Sequence, residues 1–195
     1  MSLITLVSFR KPFDEFNDDV ITSALTSNPS VTAYAYGARM EDFNQVELWI
    51  QWSTPTPPDS LPLELIKACG SSESLQTYHV PFKSESSARR ALGAPVTEVL
   101  ICSLQPGKDL KAFEELLNKG NELHVGAAGF HDADCGFVKV GNMIEKAVIV
   151  LGWDSKEAHA AYAATGVITP IFAQYVQYIN MKETIQFHVS YKRPE

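Results

Sequence analysis

Val46-Glu47-Leu48-Trp49-Ile50-Gln51-Trp52 and Ala147-Val148-Ile149-Val150-Leu151-Gly152-Trp153 can be laid one upon the other, with Trp52 on Trp153. Each is a short apolar run rich in β-branched and aromatic residues, which reads as a strand. Working outward from the first run, Leu3 to Phe9 reads as a strand, Phe13, Phe16, Val20 and Ala24 recur at helical spacing, and Val31 to Tyr36 is a second strand. Beyond Trp52, prolines at 55, 57 and 58 open a segment whose Leu61, Leu65 and Ala68 are helically spaced; Gly70 is placed to stop it, and Leu75 to Val80 is a further strand. The order is β-α-β-β-α-β.

The same order surrounds the second run. Thr97 to Leu104 reads as a strand, and Leu110, Phe113 and Leu117 form a helical stripe with Gly120 as its expected end. Val125 to His131 and Lys146 to Trp153 are read as strands around a Gly-rich turn. Asp154 and Glu157 resemble a capping box for a helix over Ser155 to Ala163, Pro170 begins another helical piece, and Glu183 to Tyr191 closes the unit as a strand. A second match supports the register, since Tyr78-His79-Val80 falls on Phe187-His188-Val189. The expected class is α+β in two repeats, 1–82 and 96–195, joined by a Ser- and charge-rich linker at 83–95.

Composition narrows the function. A chain of 195 residues with 45% hydrophobic residues builds a core without metal or disulfide staples. Cys69, Cys102 and Cys135 are odd in number and lack CxxC spacing, so neither a disulfide framework nor a zinc ribbon is supported, and a reducing, cytoplasmic setting is expected. The early apolar run is soon interrupted by Ser8, Arg10 and Lys11, so no leader or membrane span is expected. A net charge of -7 without a Lys/Arg cluster argues against nucleic acid as a partner. Gly126-Ala127-Ala128-Gly129 is no phosphate loop, and no GxSxG elbow occurs, so neither a nucleotide cofactor nor a serine hydrolase is indicated.

The passage from Ala147 to Trp153 followed by Asp154-Ser155-Lys156-Glu157-Ala158-His159 resembles the strand-to-helix segment of antibiotic biosynthesis monooxygenase-like proteins of the dimeric α/β-barrel superfamily. The resemblance is clearest from Val96 to Tyr191 and weak before Ser53. It implies tandem ferredoxin-like repeats forming an intrachain dimeric α/β-barrel, in which one chain supplies both sheets around a pocket. Relatives of this kind include cofactor-free monooxygenases of aromatic polyketides, cyclases, lactone isomerases, haem-degrading enzymes and stress-response proteins. Fold alone does not choose among them.

Strand alternation sorts the candidate residues, because a sheet of this type has one face under helices. Val46, Leu48, Ile50 and Trp52 are assigned to the helix side, leaving Glu47, Trp49 and Gln51 on the other. In the last strand Ile185, Phe187, Val189 and Tyr191 are taken as the helix side, leaving Gln186, His188 and Ser190 facing a ligand. His79 joins His188 by repeat equivalence, and Tyr34 and Tyr36 share a face of the second strand. Neutral imidazole removes or returns a proton near pH 7, and a buried phenol stabilises a developing oxyanion. His79 or His188 is therefore the expected general base, with Tyr34 or Tyr36 as the oxyanion donor. The alternative for both histidines is a hydrogen-bonded structural role.

His131, Asp132, Asp134 and Cys135 cluster after a strand, as an acid/base pair, a turn stabilised by Asp side chains, or part of a metal site, although their spacing fits no dependable metal signature. His131 and Asp132 are retained as ligand contacts, no metal is assigned, and His124 and His159 read as packing or surface residues. The expected function is a cofactor-independent monooxygenase, cyclase or isomerase acting on an aromatic, polyketide-like or enolisable small molecule of secondary metabolism. A non-catalytic ligand-binding or stress protein and a haem-binding protein are the competing readings. Strand edges leave a homodimer open.

Overall fold

The computed structural model describes residues 2–56, 60–70, 75–140 and 143–193, so Pro57 and Pro58 lie outside the described residues. It divides into two compact units, Met1–Phe82 with Val189–Glu195, and Lys83–His188.

The first unit contains β1 (Ser2–Arg10), α1 (Asp18–Thr26), β2 (Val31–Ala38), β3 (Gln45–Trp52), α2 (Leu63–Cys69) and β4 (Gln76–Phe82). Its antiparallel sheet has the order β2-β3-β1-β4. Asn17 caps α1 by accepting from the amides of Asp19 and Val20, which holds otherwise unpaired donors of the first turn. The helix therefore starts after Phe13 and Phe16, and Ile21, Ala24 and Leu25 rather than Val20 form its buried side. With α2 they cover Val7, Phe9, Leu48, Ile50 and Trp52. The tail returns to β2, where Tyr36 and Lys192 exchange two backbone hydrogen bonds.

The second unit contains α3 (Glu85–Leu92), β5 (Val96–Ser103), α4 (Leu110–His124), β6 (Phe130–Val140), β7 (Met143–Trp153), α5 (Lys156–Ala164), α6 (Thr169–Tyr175) and β8 (Ile185–Val189). The sheet order β6-β7-β5-β8 repeats the pattern of the first unit. α4, α5 and α6 bury Phe113, Leu117 and Tyr162 against Cys102, Ile149, Leu151 and Trp153. Helix α4 continues through Gly120 to His124, because a Cβ at Gly120 would run into the Tyr175 hydroxyl of α6. That glycine serves helix packing rather than helix termination. Strand β6 begins at Phe130 and extends to Val140, later than the Val125–His131 strand expected, because Val125 to Gly129 make the turn after α4.

The stretch expected as a linker carries α3. Ser84 caps it by accepting from the Ser87 amide, its own amide donates to Asp134 at 2.8 Å, and Arg90 meets Asp132 at 2.6 Å. Ala88, Ala91 and Leu92 are fully buried, and the Thr97 hydroxyl donates to the Ala91 carbonyl at 2.9 Å. By alternation from Trp153 and Leu151, the Gly152 side on which α3 sits is the face turned away from α4 to α6. Both faces of both sheets are buried: Ile4 and Val80, and Val99, Val148 and Val150, opposite the helix-covered cores, are each 0% exposed. Among the described residues no helix is long and apolar enough to cross a membrane.

A Cβ at Gly152 would stand 2.8 Å from the Ala94 Cβ, 2.9 Å from the Ala91 Cα and 3.0 Å from the Ala91 carbonyl oxygen, two of which are backbone atoms that do not swing aside. Gly152→Ala is expected to lower unfolding stability by about 1–3 kcal/mol, the usual cost of overpacking. Urea denaturation checks this, and an unchanged midpoint would show that α3 does not rest on β7.

Candidate active site

Glu98 is a carboxylate in the middle of β5, directly across from Leu151 of β7 and 4% exposed. It sits on the helix-covered face, which is where the polar groups of the second unit converge. The Gln186 amide of β8 donates to its Oε1 at 2.6 Å, and the Trp153 indole at the end of β7 donates to Oε2 at 3.4 Å. His159 Nε2 lies 3.3 Å from the same Oε2. Its Nδ1 lies 2.9 Å from Nε2 of His188. The imidazole arrives there because Ser155 caps α5 immediately after Trp153, accepting from the Ala158 amide, which sets His159 one turn into the helix against the indole ring.

His159 Nε2 approaches Glu98 Oε2 without closing a hydrogen bond, whereas His159 Nδ1 and His188 Nε2 share a proton whose owner is set by the tautomer. The three side chains form a row, Glu98–His159–His188. Burial pushes the Glu98 carboxyl above its ordinary range, while Gln186, His188, Trp153 and His124 pull it back. Burial first, then His188 and Lys156, lowers His159 from 6.5 to about 4, so it is neutral at pH 7. His124, at the end of α4, donates from Nδ1 to the Gly120 carbonyl at 2.8 Å; burial lowers its pKa too, leaving Nε2 as a lone-pair acceptor.

Glu98, His124 and His159 face a cavity of about 200 Å³ between the sheet and α4 to α6. Leu100, Leu117, Ile149 and Leu151 form its apolar wall, Tyr162 and Tyr175 add rings, and Gln186 and Asn121 add amides. Glu98, His159 and His188 could each offer one metal-ligand atom within 4.8 Å of the others. In the arrangement seen, His159 Nδ1 is engaged with His188.

The sequence reading brought some of these residues together and misplaced others. Gln186 and His188 are at the site, but on the helix side, because the residues alternating with them, Phe187 and Val189, fill the opposite buried face. His188 does not line the cavity; it backs His159. Ser190 is exposed beyond β8. His79, Tyr34 and Tyr36 lie on the helix side of the first unit's sheet. There His79 Nδ1 meets the Thr5 hydroxyl at 2.8 Å, that hydroxyl accepts from the Trp52 indole at 2.6 Å, and Tyr36 packs on Phe16 with ring centres 5.0 Å apart. Tyr34 packs against the same core, and its buried hydroxyl has no hydrogen-bond partner among the described residues. Burial, then Asp18, raises Tyr36 to about 12, which suits a structural phenol.

Glu47, Trp49 and Gln51 occupy the face of β3 away from those helices, as expected. There they are 3%, 2% and 4% exposed. Glu47 is consumed by an ion pair with Arg39 at 2.6 Å and a hydrogen bond from Ser8 at 2.8 Å. His131 pairs with Asp154 at 2.7 Å on the exposed side, Asp132 with Arg90, while Cys135 points into the helix-side core. That cluster is dispersed over different faces. Sequence reasoning missed Glu98 and His159. Their signal was a carboxylate inside an otherwise apolar strand, and an imidazole four residues after a cap that follows Trp153.

No family model and no curated protein matches the chain by sequence. Solved structures do match it along its length. A protein of Fusobacterium nucleatum described as a candidate monooxygenase aligns over 100% of this chain and 94% of its own at 9% identity, with a TM-score of 0.65. An anthrone oxidase-like protein aligns over 98% and 91% at 13% identity, with a TM-score of 0.64. An uncharacterised ferredoxin-fold protein of Listeria monocytogenes, related to antibiotic biosynthesis monooxygenases, aligns over 100% and 96% at 13% identity, with a TM-score of 0.58. The chain therefore has the tandem ferredoxin-like fold of such proteins.

The depressed His159 pKa sets the sign of a stability change. Between pH 4 and 6.5 the unfolded chain holds a proton on this ring that the folded chain does not, so stability rises with pH across that window. Comparing denaturation midpoints across it, His159→Gln is expected to rise less steeply than the parent protein. Identical slopes would mean that the ring titrates normally in the fold.

Proposed function

We propose that the second unit is the reaction centre of a small-molecule enzyme of the cofactor-independent oxygenase kind, with Glu98 as general base. The observation that carries this reading is a buried carboxylate facing an apolar cavity, held by hydrogen bonds from Gln186 and Trp153. These occupy two of its acceptor directions, so others are left for a ligand proton. Burial makes Glu98 a stronger base than a solvated carboxylate, as general-base catalysis near neutral pH requires. The Asn121 amide and the Nε2 of His124 are placed to orient ligand oxygens. His188 acts as a positioning residue, holding the ring of His159 through their shared hydrogen bond.

The substrate suited to this arrangement is a phenol or enolisable carbonyl whose anion is delocalised. Glu98 removes a C–H or O–H proton and leaves an electron-rich carbanion. That anion reduces O₂ and forms a C–O bond, giving a peroxide. Loss of water from the peroxide, with the proton returned from Glu98, leaves one oxygen as a carbonyl on the carbon that carried two hydrogens and the other in water. The full-length resemblance in fold to an anthrone oxidase-like protein supports this reading.

Oxygen uptake with a panel of phenols and enolisable ketones tests it. Glu98→Gln keeps the shape and the Trp153 and Gln186 neighbours but removes the base, and is expected to lower kcat by about 10²-fold or more. His188→Gln is expected to lower kcat less, with KM unchanged, and treatment with a chelator is expected to leave turnover intact. Undiminished turnover in Glu98→Gln would remove the proposed base, and isomerisation without oxygen uptake would move the assignment to an isomerase.

A further inference from the structure

We infer that the ligand of this cavity is an uncharged phenol or enol built on one or two rings, and that Phe172 sets the upper limit on its size. The inference rests on the cavity being the reaction site.

Size is the first observation. The cavity measures about 200 Å³. An apolar cavity of about 150 Å³ holds benzene, whereas pockets for drug-sized ligands run from about 300 to 1,000 Å³. One substituted ring or two fused rings fit between these limits, and a four-ring skeleton does not.

Charge is the second. Among the described residues lining the cavity there is no lysine or arginine. A ligand carboxylate would be buried beside Glu98 with no counterion, and that costs far more than burying a neutral ring. An ammonium group brings three N–H donors to be met at once inside a mostly apolar wall, and desolvating it costs more than desolvating a neutral ring. The polar groups gather towards Glu98, while Leu117, Ile149 and Ile168 offer only apolar contact. A flat, neutral molecule with its oxygens at one end matches that distribution.

The third observation concerns the wall formed by α6. Phe172 lines the cavity and is nevertheless 39% exposed, so one face of the ring meets the ligand space and the other meets solvent. Its helix has no buried residue and no side-chain cap at its start, so Phe172 stands on the outer rim of the cavity. Phe172 leans on Tyr175 with ring centres 6.2 Å apart. Shortening this side chain opens the cavity outward without touching Glu98 or His159.

Isothermal calorimetry on the full chain at pH 7 provides the test, with 2-naphthol, 1-hydroxy-2-naphthoate, 2-naphthylmethylamine and a four-ring neutral phenol as probes, and with His124 and His159 ring shifts in NMR spectra reporting where they bind. The parent protein is expected to bind 2-naphthol at least tenfold more tightly than either charged probe, to shift both histidines, and to exclude the four-ring phenol. Phe172→Ala is expected to admit the four-ring phenol, and Phe172→Trp to weaken 2-naphthol while retaining phenol. Equal affinity for a charged probe, binding of the four-ring phenol by the parent, unshifted histidines, or no binding at all would each overturn the inference. Binding is read without turnover, so a protein that meets these expectations but keeps full kcat in Glu98→Gln loses the proposed base and not the ligand class.

Discussion

A carboxylate on the covered face of a β-sheet must be compensated by neighbouring donors, and the layout of the second unit follows from that requirement. Isolated, a buried charge costs more than the fold could offset; held by hydrogen bonds, it is tolerable. Glu98 draws one donor from the strand beside it and one from the end of the strand across from it, while the helix that follows brings His159 Nε2 to 3.3 Å. Three elements thus meet at one residue. Helix α5 starts soon after β7, with Ser155 capping it two residues beyond Trp153, and this short connection sets His159 beside the indole.

The first unit shows what the same scaffold does without that charge. Thr5 stands across from Ile50 as Glu98 stands across from Leu151, and Trp52 and Trp153 each follow two residues later. The indole donates to the side chain in both, and the histidine of the matched tripeptide completes the group in both, through Thr5 in one and through His159 in the other. With a hydroxyl at the centre the cluster is neutral, and its role is to hold β1 to β3 and β4. Both repeats therefore keep a hydrogen-bonded pin, and a single position, threonine or glutamate, separates a cluster centred on a hydroxyl from one centred on a carboxyl.

Much of the fold was legible because the two Trp-ending strands carry their register openly. The faces were harder to read. Alternation in β3 gave the correct side, since Val46, Leu48, Ile50 and Trp52 are more apolar than Glu47, Trp49 and Gln51. The same reasoning inverted β8, because it assumes one buried face and one open face, whereas here both are buried. Alternation then finds the more apolar face, which in β8 is the one away from α4 to α6. A one-residue error in this assignment moves every side chain to the other side of the sheet. The error carried Gln186 away from the pocket it lines and His188 away from the His159 ring it backs.

Helix α3 was hidden for a different reason. Its sequence is dominated by Ser, Arg and Glu, the composition of a solvated connection, and only Ala88, Ala91 and Leu92 at helical spacing betray it. Small residues suffice because the partner surface is smaller still: at Gly152 the sheet offers no side chain, so the α3 backbone can approach it closely. Where two backbones meet through alanine and glycine, little apolar content remains for a pattern to detect. The buried carboxylate was obscured by its surroundings in a similar way. One glutamate within the apolar strand Val96–Ser103 reads as an edge or solvent position until the strand is known to lie between β7 and β8, where a charge survives only in the company of donors. Polar residues that break the pattern of an interior strand are therefore the first to test for chemistry, ahead of histidines on strands whose faces have not been fixed.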